Sequence, residues 1–147
     1  MENKIIDYIE HWSTVFGLPV LKEESYPPED RASLAINLIQ EELYETIEAI
    51  AKKDSVEIKD GLGDLLWVTV RAMMEFGIDP HNTIKEIYNS NMSKADDTEE
   101  DASATQAYYT TLGTETYQKL VGSYYITYRK FDNKVLKSIR FRKPNFK

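Results

Sequence analysis

The stretch EELYETIEAIAKKDSVEIKDGLGDLLW, residues 41–67, carries two helical patterns separated by the short turn Lys53-Asp54-Ser55. Apolar residues recur at helical spacing on both sides of the turn, which predicts helices over about 29–52 and 55–76. Because the turn is so short, the two helices are expected to pack as antiparallel neighbours. The apolar stripe expected on the first helix consists of Leu34, Leu38, Ile39, Leu43, Ile47 and Ile50.

Carboxylates are concentrated on one arc of each predicted helix. At about 100° per residue, Glu41, Glu42 and Glu45 share an arc of the first helix, and Asp60 and Asp64 share an arc of the second. Two facing acidic stripes repel each other unless cations lie between them. The pattern therefore favours a metal site, although a solvated acidic helix face remains the alternative interpretation of each residue.

Asp64 is distinctive because it lies in GLGDLLWVTV, a nearly continuous apolar run that also contains Gly61 and Gly63. We expect Asp64 to be buried there, and a buried carboxylate is costly unless it is paired or bound to a metal. Each glycine costs a helix about 1 kcal/mol relative to alanine. The two glycines are therefore expected to leave room for a close approach.

The composition narrows the choice of metal. The chain has no cysteine, which excludes a thiolate site, and neither of its two histidines follows a glutamate by three residues, which disfavours a di-iron site. Oxygen-only ligands suit Mg²⁺, with Mn²⁺ as the alternative, and Mg²⁺ commonly works with substrate phosphates. Donors for a phosphate are available at Asn91, Lys94, Lys134, Lys137, Arg140, Arg142 and Lys143.

Charge is unevenly distributed along the 147 residues. Residues 1–115 carry 24 acidic and 9 basic side chains, whereas residues 116–147 carry 1 acidic and 9 basic side chains. A chain this acidic overall does not suggest binding to duplex nucleic acid. We find neither a signal peptide nor a run of about 18 apolar residues, so we expect a cytoplasmic protein without a membrane span.

The remaining segments predict a mainly α fold, with a four-helix core, an extra helix and a small C-terminal antiparallel β meander. Three further helices are expected over about 3–16, 79–94 and 98–112. Three short strands are expected after them: Thr116–Val121, Tyr124–Arg129 and Lys134–Ser138. We therefore predict a helical metal- and nucleotide-binding core over 1–94, with the helix and meander of 95–147 appended to the same domain.

Five motifs occur in order: EELYE at 41–45, which fits EExxE, GDLLW at 63–67, FGIDP at 76–80, SNMSK at 90–94 and DNKVLKS at 132–138. Together they resemble the all-α nucleoside triphosphate pyrophosphohydrolases, the superfamily of MazG-type and phosphoribosyl-ATP pyrophosphohydrolase-like enzymes, in the branch with dUTPase-like members. The resemblance covers about residues 5–94 and 132–147. It implies a Mg²⁺-dependent enzyme that cuts between the α- and β-phosphates and assembles as a homodimer or homotetramer.

The resemblance also implies roles for individual residues. Glu41, Glu42 and Glu45 match the first metal-binding motif of the family, and Asp64 matches the aspartate of its second motif, ExxD. The glutamate of ExxD would stand at position 61, which is glycine here. Asp60 is the favoured substitute, and Glu57-x-x-Asp60 is an alternative ExxD. The family contacts its nucleotide at the positions of Asn91 and Lys94.

We therefore predict a nucleoside triphosphate pyrophosphohydrolase that produces a nucleoside monophosphate and pyrophosphate, with Glu41 or Glu42 orienting or deprotonating the attacking water. The predicted metal ligands are Glu41, Glu42, Glu45, Asp60 and Asp64. The predicted substrate-binding residues are Asn91, Lys94, Lys134 and Lys137, and residues 132–143 are expected near the acidic site. Two alternatives stay open: a catalytically silent nucleotide-binding or oligomerisation module, and a metal-binding bundle without nucleotide.

Overall fold

The structure is a computed structural model that describes residues 4–146 and confirms a mainly α fold. Its elements in chain order are α1 (Lys4–Val15), α2 (Glu29–Lys52), α3 (Ser55–Glu75), α4 (Pro80–Met92), α5 (Glu99–Thr111), β1 (Thr116–Val121) and β2 (Tyr124–Arg129). The chain divides into two compact units between Thr83 and Ile84. Across 4–146, no helix has both the length and the hydropathy needed to cross a membrane.

The first unit is built on the antiparallel hairpin of α2 and α3. The turn between them lies at Lys53-Asp54-Ser55, as the sequence predicted. Lys53 ends α2 in the left-handed conformation with φ 57°. Asp54 then caps α3, and its carboxylate accepts hydrogen bonds from the backbone N–H groups of Val56 and Glu57. Helix α1 packs on α3 through a small apolar core made of Ile6, Ile9, Val70 and Met74, with Val20 and Trp67 against it.

The face of α2 that packs against its own chain differs from the predicted apolar stripe. The buried residues of α2 are small: Ala32, Ala35, Thr46 and Ala49. The larger residues Leu34, Leu43, Ile47 and Ile50 of the apolar stripe are exposed instead. The reason is the close approach of the two helices, which admits only small side chains at the seam and leaves the bulky ones at its sides.

A buried ion cluster joins the start of α2 to the end of α3. Glu75, which is 2% exposed, accepts hydrogen bonds from the guanidinium groups of both Arg31 and Arg71. Two cations around one carboxylate compensate the cost of burying the charge of Glu75. The cluster therefore fixes the open end of the α2–α3 hairpin, opposite the turn that Asp54 caps.

The second unit contains α5 and the hairpin of β1 and β2. Thr98 caps α5 by accepting a hydrogen bond from the Asp101 N–H, and the two strands pair antiparallel with Tyr117 opposite Tyr128. The expected third strand over 134–138 is wrong, because only Val135 forms a bridge to β2. After that bridge the chain turns away, since the Ser138 N–H donates to the Lys94 carbonyl at 3.2 Å.

Candidate functional site

Glu42 lies at the centre of the acidic cluster, half-buried at the seam between α2 and α3. Burial raises its pKa above the usual 4.5, and the negative charges around it raise the pKa further. Those charges belong to four carboxylates on both helices: Asp64, Glu45, Glu41 and Asp60. The carboxylates of Asp64, Glu45, Glu41 and Asp60 therefore act on the charge of Glu42, and the role of these five residues as metal ligands stays a prediction.

Asp64 occupies a different environment from the one expected. It is exposed, and its apolar neighbours Leu62 and Leu66 are 52% and 48% exposed. The prediction of a buried Asp64 is therefore wrong. Leu62 and Leu66 form an uncovered surface beside Asp64, whereas Trp67 and Val70 of the same run pack in the core. The Asp64 carboxylate keeps contact with water while it acts on the charge of Glu42.

The two glycines beside Asp64 have different surroundings. A Cβ atom on Gly61 would lie 2.6 Å from Thr46 Oγ1 and 3.2 Å from Thr46 Cα, whereas nothing lies within 4 Å of the Cβ position at Gly63. The expected close approach is confirmed at Gly61, whereas the space beside Gly63 is open in this chain. The approaching group is α2 itself, and Thr46 also donates its hydroxyl to the Glu42 carbonyl at 2.8 Å.

The donor set fits a hard divalent cation. All five side chains offer carboxylate oxygen, which Mg²⁺ and Mn²⁺ accept, and their mutual repulsion at Glu42 is the interaction that a cation would relieve. Among residues 4–146, no three acidic or histidine side chains are already close enough to hold an ion. Glu41, Glu45, Asp60 and Asp64 are all exposed, so their side chains can turn towards a cation without disturbing the packed seam.

The residues predicted to bind substrate belong to the second unit, where most of them have partners within the chain. Lys94 Nζ donates to Asn91 Oδ1 at 2.7 Å. Lys137 Nζ lies 4.3 Å from the centre of the Phe141 ring. Lys134 is exposed beside the turn, and its backbone N–H donates to Asp132.

Two serines of the SNMSK motif have a clear role that the sequence analysis did not assign. Ser90 donates its hydroxyl to the Arg142 carbonyl at 3.0 Å, and Ser93 accepts from the Arg142 N–H at 3.1 Å. Both serines therefore hold the C-terminal segment against the end of α4. Their spacing of three residues places them on one helix face and is the signal that could have identified them.

Comparison with known proteins assigns the family. A family model described as phosphoribosyl-ATP pyrophosphohydrolase matches residues 13–91, more than half of the chain, and the match includes both acidic motifs. A search of curated proteins finds no match. Thus the acidic helical hairpin is part of a family domain, and the chain belongs to the phosphoribosyl-ATP pyrophosphohydrolase family, within the MazG-like all-α superfamily whose members hydrolyse the pyrophosphate linkages of nucleotides.

Proposed function

We propose that the protein is a Mg²⁺-dependent nucleoside triphosphate pyrophosphohydrolase. It converts a ribo- or deoxyribonucleoside triphosphate and water to the corresponding nucleoside monophosphate and pyrophosphate. The observation that carries the proposal is the electrostatic repulsion of the half-buried Glu42 by carboxylates of both α2 and α3, which raises its pKa. This arrangement concentrates negative charge where the triphosphate, itself an anion, would otherwise be repelled. A divalent cation between the carboxylates and the triphosphate would offset the repulsion between them.

Glu41, Glu42, Glu45, Asp60 and Asp64 would hold the cation. When bound, it neutralises phosphate charge and supplies a water of lowered pKa. Glu42 is the better placed of the two candidate bases, because it sits at the seam and the hydrogen bond of Thr46 to its carbonyl fixes the local helix.

The substrate's phosphates and base require donors that α2 and α3 lack. We assign these to Asn91, Lys94, Lys134 and Lys137, on the strength of the family resemblance and the basic composition of the tail. The Lys94–Asn91 hydrogen bond would hold both side chains ready for a ligand at the end of α4. The substrates to test include phosphoribosyl-ATP, the compound in the family's name, and the proposed compartment is the cytoplasm.

Self-association forms part of the proposal, because the α2–α3 hairpin has an uncovered apolar side. This apolar side consists of Ile36, Leu43, Ile47, Ile50, Leu62 and Leu66, all at least 43% exposed. On each helix these residues lie about a quarter-turn from the seam, and the carboxylates lie on the opposite side. Contiguous exposed apolar surface marks an interface, and a second copy of the chain is the partner that the family resemblance implies.

A catalytically silent nucleotide-binding module is the second candidate, and Gly61 is the observation that favours it. The glutamate that ExxD would supply at this position cannot be accommodated, because Thr46 fills the space. The cation would then have one ligand fewer unless Asp60 replaces it. Hydrolysis and binding must therefore be measured separately.

The deciding experiment measures pyrophosphate release from a panel of ribo- and deoxyribonucleoside triphosphates and phosphoribosyl-ATP, with Mg²⁺, with Mn²⁺ and with EDTA. Metal-dependent release of equal amounts of monophosphate and pyrophosphate is expected for at least one substrate. Nucleotide binding without release from any substrate would establish the silent module instead. Release that persists in EDTA would contradict the role of the carboxylates.

A further inference from the structure

The two edges of the β hairpin differ in their hydrogen bonding. On the outer edge of β2, the Tyr125 N–H donates to the Asp96 carbonyl at 2.8 Å. The Thr127 carbonyl accepts from the Leu136 N–H, also at 2.8 Å. The backbone groups of Tyr125 and Thr127 therefore point away from β1. Because this direction alternates along a strand, the residues between and beside them form the hydrogen bonds to β1.

The outer edge of β1 has no partner in the described part of the chain. In the register of the hairpin, Ile126 lies opposite Lys119, so the backbone of Lys119 is directed towards β2. Gln118 and Leu120, and likewise Thr116, direct their backbone groups to the other side. Apart from the ladder with β2, no hydrogen bond joins the backbone of these three residues to another group within residues 4–146.

The burial at the start of β1 comes from one face of the sheet. Gln118 Nε2 donates to the Ala102 carbonyl of α5 at 2.5 Å. Thr116, which is buried, lies two residues earlier and therefore on the same face. Both side chains are turned towards α5, whereas the unpaired backbone groups of these residues lie in the plane of the sheet.

Strand β1 lacks the features that usually protect an edge, such as proline or a bulge. It contains no proline and pairs with β2 over six consecutive residues. Its last two residues, Leu120 and Val121, are 61% and 54% exposed. Its one charged side chain is that of Lys119, whose Nζ lies 5.6 Å from the ring centres of both Tyr117 and Tyr128. An unpaired edge of this kind is a template for a further strand.

A second copy of β1 fits this edge, because the strand is complementary to itself in one antiparallel alignment. Glu115 extends the ladder before β1, since its carbonyl accepts from the Lys130 N–H at 2.9 Å. When Tyr117 lies opposite Tyr117 of a second copy, Glu115 of each chain lies opposite Lys119 of the other, and opposite charges across strands are stabilising. An alignment about Gln118 pairs neither charge, and one about Lys119 places two lysines together.

We propose that β1 pairs antiparallel with β1 of a second copy of the chain, about a two-fold axis at Tyr117, which joins two two-stranded sheets into one of four strands. Thr116 of each chain exchanges backbone hydrogen bonds with Gln118 of the other. A two-fold interface requires such a self-complementary patch. The pairing belongs to the second unit, whereas the apolar side of the α2–α3 hairpin belongs to the first. It does not depend on the proposed hydrolysis.

The first test uses the absence of cysteine from the chain. Directly opposed residues that share no hydrogen bonds, as Tyr117 and its counterpart would be, have Cα atoms about 4.5 Å apart. A disulfide spans this distance. Under mild oxidation, Tyr117→Cys should therefore form a covalent dimer, which nonreducing electrophoresis detects.

Val121→Cys is the matched control for this cross-link. Val121 lies on the same face of the same strand and is 54% exposed. In the proposed alignment, however, it lies about 26 Å from its counterpart in the second copy. Its initial rate of cross-linking should be lower than that of Tyr117→Cys by about tenfold or more.

The second test exchanges charges in a chain that also carries Ile47→Glu, so that the apolar side of the α2–α3 hairpin does not contribute to assembly. Glu115→Lys and Lys119→Glu should each raise the dissociation constant of the dimer by about tenfold or more, because each places like charges opposite each other. The double variant Glu115→Lys/Lys119→Glu should restore the dimer. An equimolar mixture of the two single variants should do the same, since their charges are complementary.

Light scattering coupled to size exclusion measures the mass of each variant, and circular dichroism confirms that it is folded. A monomeric Ile47→Glu at the highest soluble concentration would refute self-pairing and leave the edge for a strand of another protein. Cross-linking of Val121→Cys as fast as that of Tyr117→Cys would refute the alignment. Unchanged mass in both single charge variants would place the association elsewhere. None of these results depends on whether the protein hydrolyses nucleotides.

Discussion

Gly61 of α3 lies directly against Thr46 of α2, so that a Cβ atom at position 61 would fall 2.6 Å from the Thr46 hydroxyl and within 3.3 Å of its backbone. The family motif has glutamate at position 61. In this chain, Gly61 makes a close contact with the neighbouring helix, whereas Gly63 makes none. A side chain at this position would separate the two helices. In this chain, the glycine allows α2 and α3 to approach each other this closely.

We expect Gly61→Ala to destabilise the protein, by about 1–3 kcal/mol, because overpacking against Thr46 outweighs the better helix propensity of alanine. Gly63→Ala is the matched control, since nothing lies within 4 Å of its Cβ position. That variant should gain up to about 1 kcal/mol. Chemical denaturation of both variants measures the difference, and equal effects of the two substitutions would show that the Gly61 contact is not tight.

Asp64→Asn should reduce pyrophosphate release by more than about 100-fold and leave the fold intact, because Asp64 is exposed and its charge, not its packing, is at stake. Asp60→Asn should have a smaller effect, about tenfold, if Asp60 substitutes for the missing glutamate. Pyrophosphate release at saturating Mg²⁺ and thermal melts of both variants provide the measurement. Turnover of Asp64→Asn at the wild-type rate would remove Asp64 from the metal site.

Glu42→Gln should stabilise the metal-free protein at neutral pH. The pKa of Glu42 is raised above 4.5 in the folded chain, so the folded state binds more protons than the unfolded state in the interval above 4.5. Stability contributed by this residue therefore falls as the pH rises through that interval. Glutamine at position 42 stays neutral, so the variant does not lose this stability as the pH rises. Melting in EDTA at pH 7 should show a Tm for Glu42→Gln that is about 1–3 °C above that of the wild type.

The same substitution should lose its advantage when the pH is lowered below 4.5, where the protonated form of the wild-type carboxyl predominates. It should also weaken the stabilisation that Mg²⁺ gives to the wild type. A lower Tm of Glu42→Gln at pH 7 in EDTA would mean that the ionised carboxylate stabilises the fold. That result would contradict the repulsion from Asp64, Glu45, Glu41 and Asp60.

Ile47→Glu should dissociate the proposed assembly, because Ile47 is 52% exposed near the middle of the apolar side of the hairpin. Light scattering coupled to size exclusion compares its mass with that of the wild type. Phe131→Glu is the control, since Phe131 is 94% exposed and lies in the second unit. A monomeric wild type at micromolar concentration would contradict the proposed interface.

The helices could be predicted from the sequence because the residues near each end determine where a helix begins and ends. Periodicity predicted α2 over 29–52, as observed. Asp54 and Thr98, residue types that favour helix N-caps, cap α3 and α5. The grouping of the carboxylates followed from helical spacing and the short turn. These features depend on residues near one another in sequence, where propensity and capping decide the outcome.

Burial could not be predicted in the same way, because it depends on which face meets another element. Leu43 and Ile47 looked like core residues, yet the helix pair meets through Thr46 and Gly61, and the larger side chains remain outside. The third strand failed for a related reason. The Lys134 carbonyl and the Leu136 N–H pair with β2, but the Ser138 N–H donates to Lys94, far away in sequence, and no local pattern around Ser138 reveals that partner.

The hydrogen bond between the Ser138 N–H and the Lys94 carbonyl closes a long excursion of the chain. Everything from Ala95 to Lys137, including α5 and the β hairpin, leaves and returns at neighbouring points beside the end of α4. Loops with adjacent ends can change in length at little entropic cost. The excursion can therefore vary in length in related proteins without displacing α4, provided that α5 keeps the contacts of Thr105 with the Ile139 N–H and of Asp101 with Arg140.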